Sequence, residues 1–244
     1  MNLQFYTLGL LLCAMFSSVC TASYKYKYFP PVLKATAWYA VVEFIAQSAV
    51  TSVFWYQKQH NFSLFHISFV LEAITLLLVY REIFKKYIEE KNVYVHRKIF
   101  IVLIVAFVVF AIANAIWWQP NIYPSCTRII LSVMIIVLNV LYIYKHTTYE
   151  PIPRSALELV NYQRSRVSLF WITTGLLLFH SFSLMRYGFI NRFREELSKE
   201  SYKTISMIQV LVVVILFVFI TIGFIKAKRI IVINDGKIDD KSSK

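Results

Sequence analysis

Glu43 and Glu72 are the residues of this chain whose type and setting could do chemistry, because each stands alone as a carboxylate inside a long apolar run. A carboxylate at such depth costs about 2.5–3.5 kcal/mol on insertion scales, so it marks a site or a coupling element unless it serves as glue between helices. The runs that hold them, Ala35–Tyr56 and Phe62–Tyr80, are joined by a short turn and therefore run antiparallel. At 1.5 Å per residue both acids fall roughly 12 Å from the inner ends of their runs, at matching depth. If they face each other they cannot both stay ionised cheaply, and one holds a proton or the two share it. Gln47 lies one turn from Glu43, and Ser68, Glu72 and Thr75 form a polar stripe at i, i+4 and i+7. The bland reading is structural, since interhelical hydrogen bonds average only about 0.6 kcal/mol and require no function.

A second polar layer is expected nearer the outside, from Asn114, His180 and Gln209, with Trp171 deeper and Trp117 and Trp118 adding aromatic surface. Such a set would line a pocket that is apolar with a few convergent polar groups, suited to a small molecule or a lipid. The competing reading is packing, with His180 as a hydrogen-bonded structural residue. Asn139 and Ser132, seven residues apart on one face, read as interhelical glue.

Other chemistry is missing from the pattern. All three aspartates (Asp235, Asp239, Asp240) sit in the tail, and Lys203 and Lys226 flank the seventh run without entering it, so a retinal-type Schiff base has no lysine there. The chain has no HExxH, nucleophile elbow or phosphate loop, and only His66 and His180 among the histidines fall inside spans. Cys13, Cys20 and Cys126 have neither metal-ligand nor disulfide-framework spacing. The reading is therefore of no enzyme, with no metal and no cofactor.

The elements that must position these residues are membrane spans. The chain of 244 residues is 58% hydrophobic and 16% charged, where a soluble domain would have about a quarter charged. Its mean hydropathy is +0.59. Seven runs approach spanning length: Leu3–Ala22, Ala35–Tyr56, Phe62–Tyr80, Ile99–Trp118, Ile129–Tyr144, Val167–Met185 and Thr204–Ile225. The fifth is shortest, and Arg128 and Lys145 at its ends are expected to snorkel to the interfaces. Trp38, Tyr39, Trp55, Tyr56, Trp117, Trp118, Tyr142 and Tyr144 fall near run ends, where an aromatic belt belongs. The fold class expected is all-α, a polytopic bundle of seven transmembrane helices over 1–226, with a disordered cytoplasmic tail over 227–244.

The net charge of +13 does not indicate nucleic acid, because the basic residues sit in short loops between apolar runs. Nineteen of the 26 Lys and Arg fall in the loops after runs 1, 3 and 5 and in the tail, against seven on the other side. The N-terminus is then outside and the C-terminus cytoplasmic, in a multi-pass protein of the cell (inner) membrane. The loop after run 6 is the exception, with five basic residues accompanied by Glu195, Glu196 and Glu200. The first run also resembles a signal peptide, but Met1–Tyr24 has no Lys or Arg, so the basic n-region is missing and the run is read as a retained span. Pro30–Pro31 precede the second run, Pro120 and Pro124 punctuate the loop after the fourth, and Pro151 and Pro153 precede a short surface helix expected from Ser155–Glu158. Asn234–Asp235–Gly236 is a turn signal within the tail, with a small hairpin as the alternative to disorder.

The stretch Phe170-Trp171-Ile172-Thr173-Thr174-Gly175-Leu176-Leu177-Leu178-Phe179, continued to Phe189, resembles the Phe-Trp-Ile-x-x-Gly stretch of a family of bacterial seven-helix membrane proteins. The patch Asn61–Tyr80 is similar to that family's third helix. The resemblance implies seven helices and no established activity; His180 and Gln209 depart from it, so no site is carried over. Two functions are then expected in competition. One is a receptor-like sensor or accessory subunit that binds a small ligand or lipid and is read by a cytoplasmic signalling protein through Arg81–Lys98 and Lys145–Arg166. The other is a proton-coupled transporter or channel that uses Glu43 and Glu72 as its relay.

Overall fold

Proline opens the second helix instead of breaking it. Pro31 occupies the first helical position, where its missing N–H is one the helix would not have used, and the Lys34 N–H bonds the Pro30 carbonyl at 3.0 Å. The computed structural model describes the backbone of residues 2–57, 62–87, 92–118, 125–148, 156–193, 198–227, 233–234 and 237–238. Among these residues the helices are α1 (Asn2–Lys25), α2 (Pro31–Gln57), α3 (Phe62–Phe84), α4 (Val93–Ala113), α5 (Ser125–Thr148), α6 (Ala156–Phe193) and α7 (Lys199–Lys226). The bundle is all-α. Two short strands, β1 (Ile233–Asn234) and β2 (Lys237–Ile238), pair antiparallel in the tail, with Ile233 opposite Ile238. Pro120, Pro124, Pro151, Pro153, Asp235, Gly236 and most of the tail lie outside the described residues. The side chains of Trp55, Tyr56 and Trp118 do as well.

Several helices outgrow the apolar run that signalled them. The surface helix expected from Ser155–Glu158 is not separate: from Ala156 the segment is the start of α6, which continues for 38 residues. No proline interrupts it, and Ala156, Leu157, Glu158 and Leu159 favour helix, so polar flanks extend the span at little cost. At 1.5 Å per residue α6 is about 57 Å long, well beyond a hydrocarbon core of about 30 Å. Ser198 caps α7 by accepting from the Ser201 N–H at 3.1 Å.

Consecutive neighbours close into a ring: α1 packs on α2, α2 on α3, α3 on α5, α5 on α6, α6 on α7, and α7 back on α1. α4 packs on α3 from outside the ring, and its buried residues are His96, Phe100, Phe107 and Ala111. Among the described residues five helices are long and apolar enough to cross a membrane: Tyr6–Tyr28, Val93–Trp117, Ser125–Thr148, Ser165–Gly188 and Thr204–Lys226. α2 and α3, which carry the two acids, are not among those five. The surface is apolar and the interior partly polar. Ile101, Val105 and Val109 of α4 and Val133, Val137 and Val140 of α5 point outward, while Ser18, Glu72, Ser132 and His180 are buried. A water-soluble monomer rarely exposes such a continuous apolar surface, so these helices form a membrane protein.

α1 belongs to the bundle. Leu11, Met15, Ser18 and Ala22 recur at helical spacing and are buried against α7. The Ser18 hydroxyl donates to the Phe217 carbonyl at 2.9 Å and lies 2.7 Å from the Thr221 hydroxyl. Lys25 Nζ donates to the Phe224 and Ile225 carbonyls at 3.3 and 2.7 Å, at the α7 C-terminus where a cation is favoured.

Glycines let α6 and α7 approach closely. A Cβ on Gly223 would lie 2.7 Å from Ile172 Cγ1 and 3.0 Å from the Ser168 carbonyl oxygen, and one on Gly175 would lie 2.9 Å from Phe219 Cβ. By contrast, nothing lies within 4 Å of a Cβ built on Gly188. Gly223→Ala should therefore destabilise the protein by about 1–3 kcal/mol in detergent unfolding. Gly188→Ala should be neutral or stabilising by up to about 1 kcal/mol. Equal effects would mean that the α6–α7 contact is looser than described.

Candidate functional site: a buried charge cluster

α3 turns Ser68, Glu72 and Thr75 inward, as their spacing predicts, and all three are buried. The Thr75 hydroxyl is spent locally, donating to the Leu71 and Glu72 carbonyls at 2.8 and 3.0 Å. Glu72 sits ten residues into α3, about 15 Å from its start. Its direct partner is Arg128 of α5, whose Nη1 donates to Glu72 Oε2 in an ion pair with both side chains only 4% exposed.

That pair corrects the expected role of Arg128. The arginine does not snorkel to an interface, because α5 starts at Ser125, one turn earlier than the apolar run, and Arg128 lies on its buried face with Ser132, Ile135 and Asn139. The guanidinium lies between two rings, 5.0 Å from the Phe69 centroid and 4.7 Å from that of Phe179. Cation–π attraction at such a desolvated position contributes about 2 kcal/mol per ring.

His180 of α6 completes the cluster. Its Nε2 lies 3.9 Å from Glu72 Oε1, and its Nδ1 faces the Ser132 hydroxyl at 3.4 Å. Neither Glu72 Oε1 nor His180 Nε2 has a hydrogen-bond partner among the described residues. Glu43 of α2 is buried at 4% exposure, has Gln47 one turn along the helix beside it, and lies within electrostatic reach of Glu72 and Arg128. Its Oε1 likewise has no hydrogen-bond partner among the described residues. Tyr39, one turn before Glu43, is within reach of the same three charges. It is buried and stacks on Phe217 of α7 with ring centroids 6.4 Å apart, so it is not a belt residue. Tyr142 is also buried, stacked on His146 at 5.5 Å, whereas Trp38, Trp117 and Tyr144 are exposed as a belt requires.

The two polar layers expected from the sequence are thus joined at His180, which reaches Glu72. Asn114, at the π-helical turn Asn114–Trp118 that ends α4, donates from Nδ2 to Thr127 Oγ1 at 2.8 Å, next to Arg128. Gln209 of α7 donates from Nε2 to Ser183 Oγ at 3.3 Å, one turn along α6 from His180. Trp171 stands apart, about 14 Å along α6 from His180, and packs on Phe219 with centroids 5.3 Å apart. Asn139 serves its own helix, donating to the Ile135 carbonyl at 3.0 Å. Among the described residues no group of three or more His, Cys, Asp or Glu is placed to hold a metal ion.

No family model, curated protein or solved structure matches this chain. The chemistry available to the cluster follows from its own groups. Arg128 holds a fixed positive charge, and Glu43, Glu72 and His180 offer three places for a proton or a hydrogen bond inside a low-dielectric core.

Breaking a buried ion pair leaves an uncompensated charge, whereas replacing both partners by neutral groups can be nearly neutral. Arg128→Met should therefore destabilise the protein by about 3–5 kcal/mol, and Glu72→Gln combined with Arg128→Met should recover most of that loss. A double-mutant cycle from thermal unfolding in detergent checks it. Strictly additive losses would show that the pair does not hold α3 to α5.

Proposed function

We propose that this protein is a receptor-like membrane sensor or accessory subunit of the cell (inner) membrane, with all seven helices spanning, the N-terminus outside and the C-terminus cytoplasmic. It binds a small ligand or lipid and is read by a cytoplasmic signalling protein. The observation that supports this most is the charge cluster itself. Glu72, Arg128 and His180 come from three helices, α3, α5 and α6, and meet away from water, with Glu43 of α2 buried within electrostatic reach of Glu72 and Arg128. A ligand that changes the charge or hydrogen bonding there favours one helix arrangement over another, which is the differential interaction that coupling requires. α6 would transmit the shift, since it extends into the segment Lys145–Arg166 on the proposed cytoplasmic side.

The orientation rests on the distribution of Lys and Arg, and the buried position of Arg128 strengthens it by removing one cation from the outer set. A C-terminal green fluorescent protein fusion should fluoresce, and a C-terminal periplasmic reporter should be inactive; the reverse pattern would overturn the orientation. Purified protein screened against a metabolite and lipid library should show ligand-dependent thermal stabilisation. The response should be lost in Glu43→Gln, because that acid is the least committed member of the cluster. A flat response across the library would retire the sensor reading.

A second reading, a proton-coupled transporter or channel, is favoured by one specific feature: Glu43 Oε1, Glu72 Oε1 and His180 Nε2 are buried without hydrogen-bond partners among the described residues. With Arg128 charged and His180 neutral, two ionised glutamates leave one net negative charge, which a single proton cancels. Proteoliposomes should then acidify or alkalinise under a substrate or voltage gradient, and Glu72→Gln should abolish the flux; no flux under any gradient would end this reading.

A further inference from the structure

The start of α2 and the end of α3 frame an open groove of about 350 Å³, which reaches Thr75, one turn along α3 from Glu72, and involves none of the four charged residues of the cluster. Its floor is apolar, formed in part by Ala35 and Leu78, and its rim holds Lys34, Trp38, Arg81 and Glu82. The rim is ordered by its own contacts. Trp38 is 58% exposed, and its Nε1 donates to the Tyr26 hydroxyl at 3.0 Å, so the indole is fixed and still presents its face outward. Lys34 Nζ stands 5.6 Å from the centroid of the same tyrosine ring. Arg81 donates to Glu82 Oε1 from Nε at 3.2 Å and from Nη2 at 2.8 Å, so the one acid of the rim is already neutralised. The rim is therefore net positive by the charge of Lys34.

We propose that this groove binds an anionic phospholipid, with the phosphate between Lys34 and Arg81, the glycerol region against Trp38, and an acyl chain along the α2–α3 seam. Three features select that occupant. The groove lies at a bundle end, where headgroups meet helices, and an exposed indole belongs at that level. Its apolar floor suits hydrocarbon. The uncompensated charge of Lys34, with the N–H groups of Arg81 not used by Glu82, suits a phosphate with a net negative headgroup, for which a zwitterionic lipid offers no matching net charge. A free phosphate would satisfy the cations and leave the apolar floor wet, so the lipid fits better. The inference needs only that the bundle sits in a membrane, and it stands whether or not the protein signals or transports.

The test is fluorescence quenching in vesicles of phosphatidylcholine containing a minor fraction of brominated lipid, either phosphatidylglycerol or phosphatidylcholine. The Trp38 signal is isolated as the difference between the wild-type protein and Trp38→Phe. Brominated phosphatidylglycerol should quench that signal at roughly tenfold lower mole fraction than brominated phosphatidylcholine. Lys34→Gln, which leaves the Arg81–Glu82 pair intact, should reduce the preference by about fivefold. Equal quenching of the wild-type signal by the two lipids would overturn the proposal, and that comparison needs no variant of the basic residues to fold. A preference that survives in both Lys34→Gln and Arg81→Gln would overturn the assignment of the phosphate to these cations.

Discussion

A charge inside a membrane bundle must be matched by another charge or lose it, and the Glu72–Arg128 pair is the point where this protein meets that constraint. Much of the surrounding structure follows from it. Phe69 and Phe179 flank the guanidinium, His180 approaches the other oxygen of the carboxylate with Ser132 at its far nitrogen, and Asn114 fixes Thr127 beside the arginine. The π-helical turn at the end of α4 fits the same demand. Such turns are rare but recur at functional sites, and this one begins at Asn114, which holds the start of α5 through Thr127.

The bundle is held together in two different ways on its two sides. Around α3, α5 and α6 the Glu72–Arg128 pair and His180 cross between helices, set within apolar packing by Leu76, Leu77, Leu131 and Ile135. Between α1 and α7 and between α6 and α7 the contacts include close backbone approaches at Gly175 and Gly223, the hydroxyls of Ser18 and Thr221, and the bonds of Gln209 and Arg186 to serine hydroxyls. Small-residue contacts of that kind depend on shape and are indifferent to protonation or ligand charge. α6 belongs to both sides, with His180 in the charged cluster and Gly175 in the close contact with α7. A change of charge at the cluster therefore acts on a helix whose other face is tightly fixed, which favours a discrete shift over gradual deformation.

The sequence made the all-helical fold legible because apolar runs separated by charge leave little choice inside a bilayer. It also placed Glu43, Glu72, Ser132 and His180 on inward faces. It hid the partner of Glu72. Arg128 adjoins the apolar run Ile129–Tyr144, and a cation at the edge of a run reads as an interfacial anchor. The signal that would have found it is periodicity: Ser132 and Asn139 share a face, and one turn back along that face stands Arg128. Tyr39 was hidden in the same manner, since tyrosines near run ends read as belt residues, yet it lies four residues before Glu43 on the same stripe. The contacts of Trp171 were not legible at all, because an indole satisfies either a pocket or a helix seam and only packing decides between them.

Sorting the cations by what they touch separates structure from topology. Arg128 neutralises a buried acid, Lys25 closes the carbonyl end of α7, and Arg186 lies 4.8 Å from the Tyr187 ring and donates to the Tyr187 and Ser206 hydroxyls. A charge that is paired inside the folded bundle is a poor marker of which side a loop occupies, because the finished structure gives it a partner other than anionic lipid or water. Arg128 and Arg186 both counted against the assigned orientation, and both have partners within the protein. Setting these two aside, and by the same criterion Lys25 and Arg81 on the other side, leaves 17 cations against five, so the loops after α1, α3 and α5 and the tail remain the basic side. The α2–α3 groove with Lys34 and Arg81 opens on that same side, where the proposed orientation puts the anionic leaflet.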